Sequence, residues 1–170
     1  MRFHMEGVQF QSVPGEEFSK YLGETEDLYW MSETRWFAQE FPRELLFEIR
    51  DTHQGGVTKI GWVGLKTIRW VNRKAQVNLV ILPEYRGKKW GKRSLEGIAH
   101  HAFQNLGFHR LEAETLATNA PALAMMRSAG FLQEGLLRQA KFYQGSFVDI
   151  VFFGLLKSDW SRFHSHTPEK

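Results

Sequence analysis

Arg86, Lys88, Lys89, Lys92 and Arg93 crowd around Gly87 and Gly91 in the stretch PEYRGKKWGKRSLEGI, immediately before an amphipathic helical pattern. A glycine-bearing turn that opens a helix points backbone N–H groups into a concave, positive nest, and glycine lets an anion approach the main chain closely. The chemistry such a segment could do is to hold a diphosphate. It is not a nucleoside triphosphate loop, because GxxxxGK[ST] is absent, nor a dinucleotide fingerprint, because the third glycine is missing. On spacing alone, a solvated basic turn and a phosphate cradle are equally open. Two carboxylates, Glu112 and Glu114, alternate with Leu111, Ala113 and Thr115 in RLEAETL, so both stand on one face of a strand, where a base or a solvated polar face would look alike. His100 and His101 lie beside the apolar stripe of the helix and read as surface residues. No cluster of metal-ligating types is evident, and no metal is expected.

The elements that must position these groups follow from periodicity. Residues 7–13 (GVQFQSV) read as a first strand closed by Pro14-Gly15, and residues 16–40 as mostly helical up to Pro42. ELLFEIRD, a THQGG tip and VTKIGWVGLKTI form a hairpin, and KAQVNLVIL adds a third antiparallel strand that stops at Pro83. The period then changes: Leu95, Ile98, Ala99, Ala102, Phe103 and Leu106 make one helical stripe, closed by Gly107. RLEAETL is the next strand. Asn119 caps a second helix with Pro121 in its first turn, and Gly130 ends it. FLQEGLLRQAKFY and FVDIVFFGLLK close the fold as a hairpin around QGS. The strands flanking the Leu95 helix form a crossover unit, hence parallel and right-handed. The expected class is α+β, a mixed, mostly antiparallel sheet with helices on its faces. One domain spans residues 1–160, and the polar residues 161–170 are expected to fray.

Bulk properties set the outer limits. A chain of 170 residues is one domain by length and can bury a core unaided. With no cysteine, disulfides, thiolate metal sites and a cysteine nucleophile are excluded together. A net charge of +3 confined largely to one loop makes nucleic acid an improbable partner. There is no apolar run long enough to span a bilayer, and the opening MRFHMEGVQF lacks the apolar centre of a secretion signal, so no membrane association is expected and the default compartment is the cytoplasm.

Taken in order, PEYRGKKWGKRSLEGI, FHRLEAETLATNAPALAMMRSAGF and EGLLRQAKFYQGSFVDIVFFGLL resemble the GNAT superfamily of acetyl-CoA-dependent N-acetyltransferases, with greatest likeness to its RimJ/RimL-type branch. The resemblance implies a splayed strand pair holding acetyl-CoA as co-substrate. The family loop Q/R-x-x-G-x-G/A maps to Arg86, Lys89 and Gly91, with Lys89 replacing its middle glycine. Acyl-CoA contacts are then expected from Arg86, Gly87, Lys88, Lys89, Trp90, Gly91 and Lys92, from the backbone of Ile81 and Leu82, and from Asn119, which also serves as a helix cap. It also implies direct attack by an amine in a ternary complex, the acceptor being a protein N-terminus or a small molecule such as an aminosugar, polyamine or antibiotic. A non-catalytic acyl-CoA-binding module is the rival reading. The catalytic residues are less conventional. Met126 stands where relatives carry a general-acid tyrosine, leaving Tyr143 as the substitute by topology. Glu114 matches the catalytic glutamate of RimI-type enzymes. Gln76 stands where many relatives have a glutamate, and an amide cannot act as a base. Trp30, Trp36, Trp62 and Trp70 are offered either to the core or to an acceptor pocket. Because the first strand leaves little room before EEFSKYLGE, the acceptor side is expected to be open or completed by a second subunit, as in a homodimer.

Overall fold

The computed structural model describes residues 2–5, 7–12, 42–52 and 57–165. Eight strands make one sheet: β1 (Arg2–Met5), β2 (Val8–Ser12), β3 (Leu45–Asp51), β4 (Thr58–Arg69), β5 (Lys74–Ile81), β6 (Arg110–Leu116), β7 (Leu132–Tyr143) and β8 (Ser146–Leu156). Their order is β1-β2-β3-β4-β5-β6-β8-β7, and among the described residues only the β5–β6 pair is parallel. Three α-helices are described, α1 (Trp90–His100), α2 (Ala120–Ser128) and α3 (Lys157–Ser165). None is long and apolar enough to cross a membrane.

The meander, crossover and closing hairpin stand where the periodicity puts them, so the α+β reading holds. Three differences are instructive. The first strand is preceded by another: β1 pairs back on β2, with Gly7 in the left-handed region at φ +77°. The chain beyond Trp160 continues as α3 to Ser165 instead of fraying, because Trp160 is buried against Phe103 and His100 of the first helical segment. And α1 does not stop at His100. It runs on through a π-helical turn, His101–Asn105, before Gly107 (φ +69°) turns the chain out. The helical reading of residues 16–40 lies outside the described residues.

The sheet has two chemically distinct faces. Phe47, Val63, Leu65, Val77, Leu111, Ala113 and Phe153 share one, and with Leu95, Ile98, Phe103, Met126 and Trp160 of the described helices they form a single core. The opposite face carries Glu48, Trp62, Gln76, Glu112 and Glu114 at the alternate positions. Burying the first face accounts for most of the driving force for folding, at roughly 25 cal/mol per Å² of apolar surface. The second face carries the chemistry.

Candidate active site

The pairing of β5 with β6 consists of Lys74↔Arg110, Ala75↔Leu111 and Gln76↔Glu112, and there it ends, although β5 runs on to Ile81 and β6 to Leu116. The two strands part at that rung. Which main-chain groups face the gap is decided by β4. Leu82 donates its N–H to Ile60 O at 2.9 Å, so in an antiparallel pair Leu82 and Val80 turn their polar groups toward β4, while Leu79 and Ile81 turn theirs away from it. Gly61 permits this close pairing, since a Cβ there would stand 2.0 Å from Val80 O. Leu82, expected to present its backbone beside Ile81, is therefore committed elsewhere: its N–H to Ile60, its carbonyl to the N–H of Tyr85 at 2.9 Å. The second residue facing the gap is Leu79. Ile81 does face it, and its carbonyl accepts Arg86 Nε at 3.0 Å, which ties the loop back to the strand end.

Past a single 3₁₀ turn, Pro83–Tyr85, the loop bends through two left-handed residues, Gly87 (φ +75°) and Lys89 (φ +64°), into α1. Lys89 thus holds a left-handed conformation that favours glycine, at a cost of roughly 1–2 kcal/mol. No side chain caps α1, so its first N–H groups stay directed along the helix axis toward the loop. The cations divide their duties. Lys92 pairs with Glu96 at 3.5 Å, one turn along the helix, Lys88 Nζ lies 5.6 Å from the Tyr85 ring, Arg93 lies 5.0 Å from the Trp90 ring, and Lys89 is exposed. Gly91 is glycine for a packing reason as well: a Cβ there would meet Met125 Sδ of α2 at 2.3 Å.

On the far side of the gap stands Glu114. It is half-buried, Gln76 bonds it, and among the described residues no cation pairs with it. Burial, then the nearby charge of Glu112, push its carboxyl above the ordinary range, with the Gln76 bond opposing them. Glu112 is the reverse case. Far from being a solvated residue, it receives Lys74 Nζ and Arg110 Nε, both at 2.9 Å; burial works against its charge, but these two cations overcome it and hold the carboxyl low. A basic nest at a helix start, an open strand edge and a carboxylate with no cation partner among the described residues thus border the gap where β5 and β6 part.

Residues 4–132 match the family model described as acetyltransferase (GNAT) domain. The chain belongs to the GNAT acetyltransferase family. Curated relatives of this GNAT chain include the uncharacterized N-acetyltransferase p20 of Bacillus licheniformis (28% identical over 102 residues, 60% of this chain and 57% of the relative). They also include the putative ribosomal N-acetyltransferase YdaF of Bacillus subtilis strain 168 (30% over 100 residues, 59% and 55%) and the spermidine N(1)-acetyltransferase of Vibrio cholerae (27% over 101 residues, 59% and 58%). The matched part of the chain spans little more than half the length of each. Among solved structures, a point mutant of the Vibrio cholerae spermidine N-acetyltransferase SpeG superposes with a TM-score of 0.77 at 21% identity, covering 94% of this chain and 99% of that one. The spermidine N-acetyltransferase of the same organism in complex with CoA and spermine gives 0.67 at 21% identity, covering 88% and 79%. At that identity the likeness is one of fold.

Within the GNAT frame the remaining expected residues can be placed. Asn119 caps α2, its Oδ1 accepting the Ala122 N–H at 3.2 Å. Met126 is buried at 6% exposure in the core. Tyr143 stands apart from the rest. It pairs with Ser146 at the tip of the β7–β8 hairpin, six residues along β8 from Phe152, the partner of Glu114. At the strand rise that is roughly 20 Å. The hairpin thus sets Tyr143 well along the sheet from the rung of Glu114. His101 is a correction. It is buried rather than at the surface, bonded to Asn105 at 2.9 Å and edge-on to Phe47, and burial followed by the charge of His100 lowers its pKa. Trp70 joins the core edge, its Nε1 donating to Pro42 O at 2.8 Å, while Trp62 is buried on the Glu114 face with Lys59 Nζ 4.0 Å from its ring centre. Trp30 and Trp36 lie outside the described residues.

Proposed function

We propose that the chain is an acetyl-CoA-dependent N-acetyltransferase of the RimJ/RimL kind that moves the acetyl group directly onto a primary amine. The observation that carries the reading is the rung at Gln76 and Glu112, where a parallel strand pair opens and leaves the backbone of Leu79 and Ile81 turned toward the gap. The residues fit the co-substrate. An amide-bearing arm suits strand-like pairing along β5, and a diphosphate suits the left-handed turn at Gly87 and Lys89, the uncapped start of α1, and Lys88 and Lys89. Asn119 keeps its side-chain N–H₂ for the same arm. Acetyl-CoA supplies a thioester carbonyl and a thiolate leaving group when bound.

This chain's own residues have three tasks. The Leu79 N–H offers a donor where negative charge develops on the carbonyl oxygen. Glu114 takes the proton that the attacking amine must lose, and its raised affinity for protons suits a base working near neutrality. The apolar side chains beside Gly91, Leu79 and Met125, keep water from the reacting end. No covalent enzyme intermediate is required, in keeping with the absence of cysteine.

The acceptor is supported in two directions. A relative named as a ribosomal N-acetyltransferase favours a protein N-terminus, and relatives named as spermidine N(1)-acetyltransferases favour a polyamine. The test is thiol release from acetyl-CoA across N-terminal peptides, spermidine and aminosugars. Turnover confined to one class names the acceptor. Binding of acetyl-CoA with no thiol released on any amine would make the chain a non-catalytic acyl-CoA module instead.

A further inference from the structure

If Glu114 takes the proton of the amine, as the reading above has it, its neighbours must leave it free to do so. β6 presents Arg110, Glu112 and Glu114 at alternate positions on one face, and β5 presents Lys74 and Gln76 beside them. One oxygen of Glu112 receives both Lys74 Nζ and Arg110 Nε. The other two nitrogens of Arg110 fork onto Glu134 of β7, Nη1 reaching Oε1 at 2.8 Å and Nη2 reaching Oε2. Glu134 must lean across β8 to do so, and it passes over Gly154, where a Cβ would stand 2.2 Å from Glu134 Oε1. A chain of charges therefore crosses four strands, from Lys74 through Glu112 and Arg110 to Glu134, and stops one rung short of Glu114.

Among the described residues, the other groups facing Glu114 do not complete it. β5 contributes the Gln76 amide, β4 contributes Lys66, which is held by Glu44 at 3.7 Å, and β8 contributes Phe152 and Gly154, which carry no charge. Both cations nearest the parting of the strands point to Glu112. We infer that Glu112 is a positioning residue for the reaction: a carboxylate clamped by Lys74 and Arg110 behind the rung where the strands part, so that Glu114 is the member of the pair left to receive the proton. Two neighbouring carboxylates with different partners divide the roles of fixed charge and titrating group. Gly154 belongs to the device, because any side chain there displaces Glu134 and loosens Arg110.

The experiment is a ¹³C NMR titration of the Glu114 carboxyl in the full chain without acetyl-CoA, for the parent, Glu112→Gln and Lys74→Gln. Removing the Glu112 charge moves the Glu114 midpoint to lower pH. Removing Lys74 leaves that charge less compensated and moves the midpoint to higher pH. The acid limb of kcat/KM shifts in the same two directions. A merely structural role would not give opposite signs, so shifts of one sign, or none, overturn the inference. Should Glu112→Gln fail to fold, the Lys74→Gln titration decides alone: a midpoint that stays or falls overturns it. A fully active Glu114→Gln variant would instead overturn the catalytic reading, while the titrations still report on the pair.

Discussion

The two sides of the gap handle charge in opposite ways. On the donor side the cations of residues 86–93 are spread over an exposed loop, held by single surface contacts to Glu96, Tyr85, Trp90 and the Ile81 carbonyl. On the β6 side Lys74, Glu112, Arg110 and Glu134 lean on one another in a chain that passes over Gly154, where a Cβ would press on the Glu134 carboxylate. The exposed group works as a field, weak per residue and screened by salt. The packed group works as fixed geometry. The difference teaches that a charge on a loop can be replaced piecemeal, whereas a charge in the β6 chain cannot.

That contrast can be broken from its β6 end first. Glu114→Gln should lower kcat by about 10²- to 10⁴-fold, the usual range for loss of a general base, while acetyl-CoA binding measured by calorimetry stays the same. Gly154→Ala should cost up to about 1 kcal/mol, the usual worth of a partly exposed Arg–carboxylate fork, read as a lower midpoint of thermal unfolding. An equal midpoint would show that Glu134 has room to yield. Acid should test the same chain. The carboxyls of Glu112 and Glu134 lie below their ordinary value of 4.5 in the folded state, Glu112 through Lys74 and Arg110 against its burial, Glu134 chiefly through its bond to Arg110. Their contribution to stability is full above that pH and is lost as pH falls through the folded values, so denaturant midpoints should decline as pH falls below about 4.5, and Glu112→Gln should flatten that decline. On the donor side, neutralising Lys88 and Lys89 together should weaken acetyl-CoA binding only some five-fold, and raising ionic strength should shrink the difference. Smallest of all, Tyr143→Phe should leave kcat within about two-fold, as surface changes do.

Much of the fold was legible because its signals are local. The Leu95 stripe, the Asn119 cap and the alternation in RLEAETL each specify an element within a few residues, and each element stands in place. The donor loop was legible for the same reason, since glycine and lysine spacing is a local pattern. What escaped depends on register between distant strands. Nothing near Leu82 says that its N–H faces β4; that follows from Ile60, twenty-two positions earlier. Glu112 and Glu114 look alike in sequence, and it is Lys74 and Arg110 that separate them, by pairing with Glu112 and not with Glu114. The place of Tyr143 was not legible either, because a hairpin's length carries its tip away from the rung where it begins. The isolated Gly154 within FVDIVFFGLLK was a visible signal, but its meaning needs Glu134 on the neighbouring strand.

The central claim is that acetyl-CoA lies along the open edge of β5 with its diphosphate at the start of α1. Backbone amide NMR during a titration with CoA tests it most directly. The account predicts the largest shifts at Leu79, Ile81 and Gly87 through Gly91, with little change in the β7–β8 hairpin. Shifts absent throughout, or concentrated around Leu136, Gln139 and Asp149 on that hairpin, would contradict it.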